Sequence, residues 1–258
     1  MKTVSETEFE KLKELYKICF DTDEKEAQTV LGFARKHGEI HFLSDGGRIV
    51  STLCLCALED GIKYLFAAAT HPEYQNQGLF KKNLQLSVKS GDSVVCIPER
   101  PDLFPLYEKL GFAKFGGVLE VKTNGNGGLL EKRKKTADLR QLYRIYRAST
   151  LYPKKTEELF FSTIEYHLLY QGTIVTDGSF YALADGKNIK ELCVPAGEED
   201  RLLALMEGLS DGTNAIVLPA SFLPYLAKKQ ISCEHKRLFA LKSDTLEANK
   251  LYINILYN

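Results

Sequence analysis

The stretch from Tyr64 to Leu84, YLFAAATHPEYQNQGLFKKNL, carries the residues best suited to chemistry. An apolar run ends at Thr70-His71-Pro72, a polar loop follows, and Gly78 opens an amphipathic helix. Strand, polar loop, glycine and helix, in that order, present free backbone N–H groups to a phosphate in an α/β protein. Gly78 can take a positive φ, and without a Cβ it lets a ligand approach the main chain. Phe80, Leu84 and Val88 recur every fourth residue and predict a buried helix face. The chemistry implied is binding of a diphosphate-bearing cofactor.

The loop also has a specific frame. Gln75-Asn76-Gln77-Gly78-Leu79-Phe80 fits the pattern Arg/Gln-x-x-Gly-x-Gly/Ala after a lead-in at Thr70-His71-Pro72, with Gln75 where arginine is commoner and Phe80 in place of a small residue. Downstream, Pro105-Leu106-Tyr107-Glu108-Lys109-Leu110-Gly111-Phe112 reads as a short helix. Pro105 suits its first turn and Gly111 the position past its end. With a strand predicted from Ser93 to Ile97 between the two motifs, residues 1–122 resemble the GNAT family of acyl-CoA-dependent N-acyltransferases.

The resemblance implies an acetyl-CoA site built from Ala68, Ala69, Thr70, Gln75, Asn76, Gln77, Gly78, Leu79, Phe80 and Lys81. Backbone N–H groups near Ala69 and Thr70 would polarise the thioester carbonyl. Tyr107 would protonate the departing thiolate, and its bland alternative is a packed helix tyrosine. The pyrophosphate is reached past Phe80 if that ring turns into the core. A base for the attacking amine is not readable. Asp21, Asp23, Glu24 and Glu26 lie where the acceptor pocket is expected, but such a cluster also suits a helix cap and a solvated first turn. His71 is read as structural.

Elements that could position these groups follow from periodicity. Helices are predicted over Glu8 to Phe20 and Glu24 to Lys36, with strands at Ile40 to Leu43, Arg48 to Leu58 and Ile62 to Thr70. The expected fold is α/β, with a mixed sheet that splays beside the motif strand. Thr123-Asn124-Gly125-Asn126-Gly127-Gly128 has the composition of a flexible connection, so residues 123–134 are expected to link two domains. The basic run Glu131 to Lys135 reads as a solvated helix start rather than a nucleic-acid patch.

Residues 135–258 repeat the order of elements and predict a second, degenerate GNAT-like domain, a tandem arrangement similar to the enhanced-intracellular-survival type of acetyltransferase. At the cofactor position this half has Pro195-Ala196-Gly197-Glu198-Glu199-Asp200, whose carboxylates would repel a pyrophosphate. It is read as non-catalytic. Some relatives of that type use their terminal carboxylate as base, but nothing in the residues carries that role to Asn258. Tyr143, Tyr146, Tyr152, Phe160, Phe161, Tyr166 and Tyr170 have the spacing of a packed face, and the helices here are candidates for a homo-oligomer interface.

Composition narrows the classes. The chain of 258 residues has 34 Lys+Arg and 34 Asp+Glu, which argues against a nucleic-acid partner held by bulk charge. No apolar run approaches the ~20 residues of a membrane span, and the first residues lack a signal-peptide core. Six cysteines without a Cys-x-x-Cys pair predict reduced, packed thiols in a cytoplasmic protein, and no metal site is expected. The resulting expectation is an acetyl-CoA-dependent N-acetyltransferase acting on a primary amine of a small molecule, with a non-catalytic acyl-CoA-binding or sensing protein as the alternative.

Overall fold

The structure, a computed structural model, describes residues 4–134, 136–149, 155–198, 201–219 and 222–242. The described residues form two compact units: residues up to 114 together with 240–242, and residues 115–239.

In the first unit, helix α1 (Glu6–Phe20) starts on a capping box. Ser5 accepts from the N–H of Glu8, whose carboxylate takes the Ser5 N–H at 2.8 Å, satisfying two otherwise orphaned donors. Asp23 caps α2 (Glu24–His37) through the Glu26 N–H at 2.8 Å. The helices bury Leu12 and Leu31 against a sheet whose first three strands are antiparallel: β1 (Gly38–Asp45), β2 (Arg48–Ala57) and β3 (Ile62–Thr70). β2 is buried on both faces from Ile49 to Cys56, which places Cys54 and Cys56 in the interior as free thiols. Helix α3 (Leu79–Ser87), strand β4 (Ser93–Cys96) and the short helix α4 (Phe104–Lys109) follow, with β4 parallel to β3.

The buried face of α3 differs from the predicted one. It consists of Asn83, Leu84 and Ser87, because the Asn83 amide reaches the His41 carbonyl at 3.3 Å and the Ser87 hydroxyl the Asn83 carbonyl at 2.7 Å. Satisfied in this way, polar side chains are tolerated inside. Phe80 is half-buried and Val88 lies past the helix end.

The second unit repeats the order. Helices α5 (Leu139–Ala148) and α6 (Glu157–Leu169) precede the antiparallel strands β6 (Thr173–Thr176), β7 (Tyr181–Asp185) and β8 (Asn188–Cys193). Then come α7 (Leu202–Leu209), β9 (Ile216–Pro219) parallel to β8, and α8 (Leu223–Lys228). Its core includes Leu119, Leu192, Met206 and Leu218. Tyr146 and Phe160, 4.8 Å apart, are fully buried, so the expected aromatic face is packing here; Tyr152 lies outside the described residues. Among the described residues no helix is long and apolar enough to cross a membrane.

The last strands are exchanged between the halves. Strand β5 (Ala113–Val121) follows α4 in sequence, yet pairs antiparallel with β9 from Val118↔Pro219 to Val121↔Ile216. Strand β10 (Cys233–Lys242) follows α8, and its residues from Ala240 to Lys242 pair antiparallel with β4. A boundary at 122 therefore falls after a strand that is hydrogen-bonded into the second unit.

The glycine-rich segment after β5 departs from its expected looseness. Asn126, Gly127 and Leu129 donate to the carbonyls of Glu207, Ser210 and Gly208 at 3.2, 2.7 and 2.8 Å. Gly125 is there for space: a Cβ on it would sit 2.1 Å from the Glu207 carbonyl oxygen and 2.4 Å from that of Ser210. The basic run that follows forms one 3-10 turn, Leu130–Lys132, and then a bridge from Lys134 to Ile174 rather than a helix start. Gly125→Ala should lower stability by about 2 kcal/mol, the scale of an overpacked core. The control Gly32→Ala, whose Cβ meets nothing closer than 4.0 Å inside α2, should be neutral or stabilising. Urea midpoints that rank the two variants the other way would show that the segment is loose.

Candidate active site

The site begins with an irregularity in β3. Its pairing with β2 shifts register between Thr52 and Cys54, and opposite that break Ala67 takes a φ of 48°. Such a bulge bends the strand and leaves backbone groups unpaired. On its other edge β3 pairs with β4 only from Ile62↔Ser93 to Leu65↔Cys96. From Phe66 onward β3 has no partner in β4, whose last residue is Cys96. At the end of β3 the His71 N–H donates to the Val50 carbonyl at 2.9 Å, which turns the Thr70 peptide groups away from β2. The Thr70 carbonyl accepts from the Gln75 amide at 3.2 Å and from the Cys19 thiol at 3.5 Å.

The loop is braced from behind. His71 is buried and starts a 3-10 turn, Pro72–Tyr74, by accepting the Glu73 N–H on Nδ1 at 3.3 Å. Arg48 holds the other ring nitrogen and also reaches the Glu73 carboxylate at 3.0 Å. The Tyr74 hydroxyl donates to Asp45 at 3.0 Å. His71 is thus a structural post, as read from sequence. Asn76 and Gly78 both take positive φ, 61° and 74°, and the chain turns through them into α3.

Gly78 is the N-cap of α3 and contributes no side-chain cap. The first intrahelical bond runs from the Lys82 N–H to the Gly78 carbonyl at 3.0 Å. Among the described residues nothing accepts from the N–H groups of Leu79, Phe80 and Lys81. Three free donors and the positive end of the helix dipole therefore open outward.

They open onto a cleft of about 430 Å³, within the range of small-molecule sites. Ala68, Ala69, Thr70, Gln75, Asn76, Gly78, Leu79, Phe80, Lys81 and Tyr107 all line it. Gln77 alone of the expected cofactor residues does not, because its amide turns back to the Glu73 carbonyl at 3.2 Å. Tyr74, Arg100, Leu103 and Leu106 also line the cleft and were not expected. Arg100 was findable as a cation in the loop after β4; the other three carry no local signal.

Tyr107 is 8 % exposed, and its ring makes edge contacts to Phe80 at 5.9 Å and Phe112 at 5.4 Å. Phe80, in the first turn of α3, lines the cleft with its ring packed edge-on to the tyrosine. The Tyr107 hydroxyl interacts with the thiol of Cys96 on β4. Burial, then the Cys96 thiol, with Tyr64 and Glu99 contributing, pushes the phenol well above its usual value of 10. It stays protonated at any working pH. Burial likewise pushes the Cys96 thiol up to about 12.

Three of the four candidate carboxylates are engaged, those of Asp23, Glu24 and Glu26. Asp21 closes α1 in a left-handed conformation, Asp23 caps α2, and Glu26 accepts from the Thr22 hydroxyl. Glu24 lies between Lys13 and Lys17, whose hydrogen bonds bring its carboxyl down to about 2. A carboxylate so stabilised is a weak base. In the second unit Gly197 and Glu198 stand at the corresponding turn, with Glu198 paired to Arg201 at 2.9 Å; Glu199 and Asp200 lie outside the described residues.

No protein-family model matches the sequence, and no curated protein matches it. Solved structures do. A GCN5-related N-acetyltransferase from Anabaena variabilis has a TM-score of 0.63 at 11 % identity, over 93 % of this chain and 71 % of its own. Another from Kribbella flavida has 0.64 at 12 %, over 93 % and 70 %. Eis1 from Mycobacterium abscessus has 0.60 at 13 %, over 91 % and 71 %. At this level of identity the likeness speaks for the fold, and the fold over more than nine-tenths of this chain is that of the GCN5-related N-acetyltransferases.

Proposed function

We propose that the chain is an acetyl-CoA-dependent N-acetyltransferase whose first unit carries the site and whose acceptor is a primary amine of a small molecule. One observation carries this reading: the uncapped N-terminus of α3 and the hydroxyl-bearing Tyr107 face the same cleft. Three backbone donors with Lys81 and Arg100 beside them suit a pyrophosphate. The edge of β3 left without a β4 partner after Leu65 suits the pantetheine arm. In this reading a neutral amine attacks the thioester carbonyl, forming the C–N bond and an oxyanion that the Thr70 N–H stabilises. Collapse breaks the C–S bond, the thiolate takes the Tyr107 proton, and the ammonium proton leaves to water. Holding both reactants in one ternary complex supplies much of the rate.

A second reading, an acyl-CoA-binding or sensing protein without turnover, is favoured by the engagement of the Asp23, Glu24 and Glu26 carboxylates in structural bonds. Thiol release separates the two. Mixed with acetyl-CoA and a panel of polyamines, aminoglycosides and amino-acid amides, the protein should liberate free CoA with at least one acceptor. Saturable acetyl-CoA binding with no release across the panel would favour the binding protein instead.

A further inference from the structure

A groove of about 320 Å³ lies between α1 and the turn that joins β1 to β2, and it shares no lining residue with the cofactor cleft. The Lys11 ammonium donates to the Gly47 carbonyl at 2.6 Å and ties the helix to the turn at this groove. Leu15 and Ile49 line it and are buried, whereas Ile18 beside them is 51 % exposed. An isoleucine left open next to an apolar floor gains from a ligand that covers it.

His71 sets the chemistry of the wall. It is 5 % exposed, and its Nδ1 accepts the Glu73 N–H at 3.3 Å. The Glu73 carboxylate, 3.7 Å from that nitrogen, is too far to draw a proton onto it. A histidine that accepts on Nδ1 carries its proton on Nε2. There the ring meets Nη2 of Arg48, and a guanidinium can only donate. Two donors thus face each other, and among the described residues no acceptor serves either atom. Buried polar groups are seldom left so. An anionic oxygen at this point would satisfy both.

The rest of the wall selects the anion. Arg48 already shares its charge with the Glu73 carboxylate at 3.0 Å. Glu14, exposed in the same wall, has no cationic partner among the described residues. A dianion such as phosphate would be repelled by Glu14, while a carboxylate carrying a nearby ammonium would match both poles. We propose that this groove binds a free α-amino acid with an apolar side chain. Its carboxylate bridges Arg48 and His71, its ammonium faces Glu14, and its side chain lies against Leu15, Ile18 and Ile49. The site needs no acetyl-CoA and does not rest on the cofactor reading.

Calorimetric titration of the whole chain with L-leucine, L-leucinamide and 4-methylpentanoate tests it. The amide lacks the carboxylate and the acid lacks the ammonium, so each should bind the wild type about tenfold more weakly than leucine, the scale of one charge-assisted hydrogen bond. Arg48→Gln should remove the preference for leucine over its amide. Because Arg48 also braces Glu73, Glu14→Gln gives an independent check and should remove the preference for leucine over the acid. Absence of leucine binding in the millimolar range would overturn the site, as would an unchanged leucine affinity in both variants. Thiol release from acetyl-CoA with leucine present tells the source of the ligand: release makes the bound amino acid the acceptor, and binding without release makes it a separate ligand, the groove standing in either case. Failure of acetyl-CoA to bind would remove the cofactor reading and leave this groove in place.

Discussion

Gly78→Glu should abolish measurable acetyl-CoA binding while leaving the fold intact. A Cβ on Gly78 meets no atom within 4 Å, so a longer side chain has room and projects from the helix start. Two effects then combine. The backbone sits at φ 74°, ψ 9°, a left-handed conformation that costs a non-glycine residue about 1–2 kcal/mol. The new carboxylate would also stand where three uncapped N–H groups wait for a phosphate. A like charge about 4 Å away near a protein surface costs roughly 4 kcal/mol, close to a thousandfold in affinity. Gly78→Ala separates the two effects, since it carries the backbone strain without the charge and should lose tenfold at most. Calorimetry on all three proteins, with circular dichroism to check folding, gives the ranking. If Gly78→Glu binds like the wild type, the pyrophosphate does not use this helix end.

The parts of this site that were legible in the sequence are those whose geometry is set by a few adjacent residues. Thr70-His71-Pro72 ends the strand, Gly78 supplies a left-handed cap, and Pro105 and Gly111 bracket α4; each acts through its own dihedral angles. The repeat of elements in the second half was legible for the same reason, through periodicity alone. What escaped reading was non-local. Ala67 adopts a positive φ because β2 and β3 differ in length across the bulge, and an alanine gives no sign of it. The exchange of β5 and β10 is a choice of partner, and apolar alternation records a strand without naming its neighbour. The segment from Thr123 to Gly128 looked flexible because glycine is common in linkers; here Gly125 is required by carbonyl oxygens about eighty residues away in sequence, at Glu207 and Ser210. Periodicity pointed to Phe80, Leu84 and Val88 as the buried face of α3, whereas Asn83 and Ser87 are buried there through side-chain hydrogen bonds that apolar spacing does not record.

Tyr107→Phe should lower kcat about a hundredfold and leave acetyl-CoA affinity almost unchanged. The substitution keeps the ring and with it the edge contacts to Phe80 and Phe112, so the wall of the cleft survives. It removes only the hydroxyl and its interaction with the Cys96 thiol. The size of the kinetic effect follows from the proton's energetics. General acid catalysis contributes 10²–10⁴-fold and is greatest when the acid's pKa lies near the working pH. Tyr107 lies far above it, because burial, Cys96 and Glu99 all favour the neutral phenol. A thiol has a pKa of about 8.5, so transfer to a free thiolate is uphill, and the proton must move while the C–S bond is breaking. That places the loss at the lower end of the range. It also fixes the sign of the pH dependence: a folded-state pKa raised above 10 keeps the donor loaded throughout the neutral and mildly alkaline range. The wild-type rate should therefore show no alkaline decline from this group up to pH 10. Steady-state kinetics of the variant, with calorimetry to confirm binding, provide the check. Activity within twofold of the wild type would make Tyr107 a packed wall whose hydroxyl serves Cys96 alone, and the proton for the thiolate would have to come from water in the open cleft.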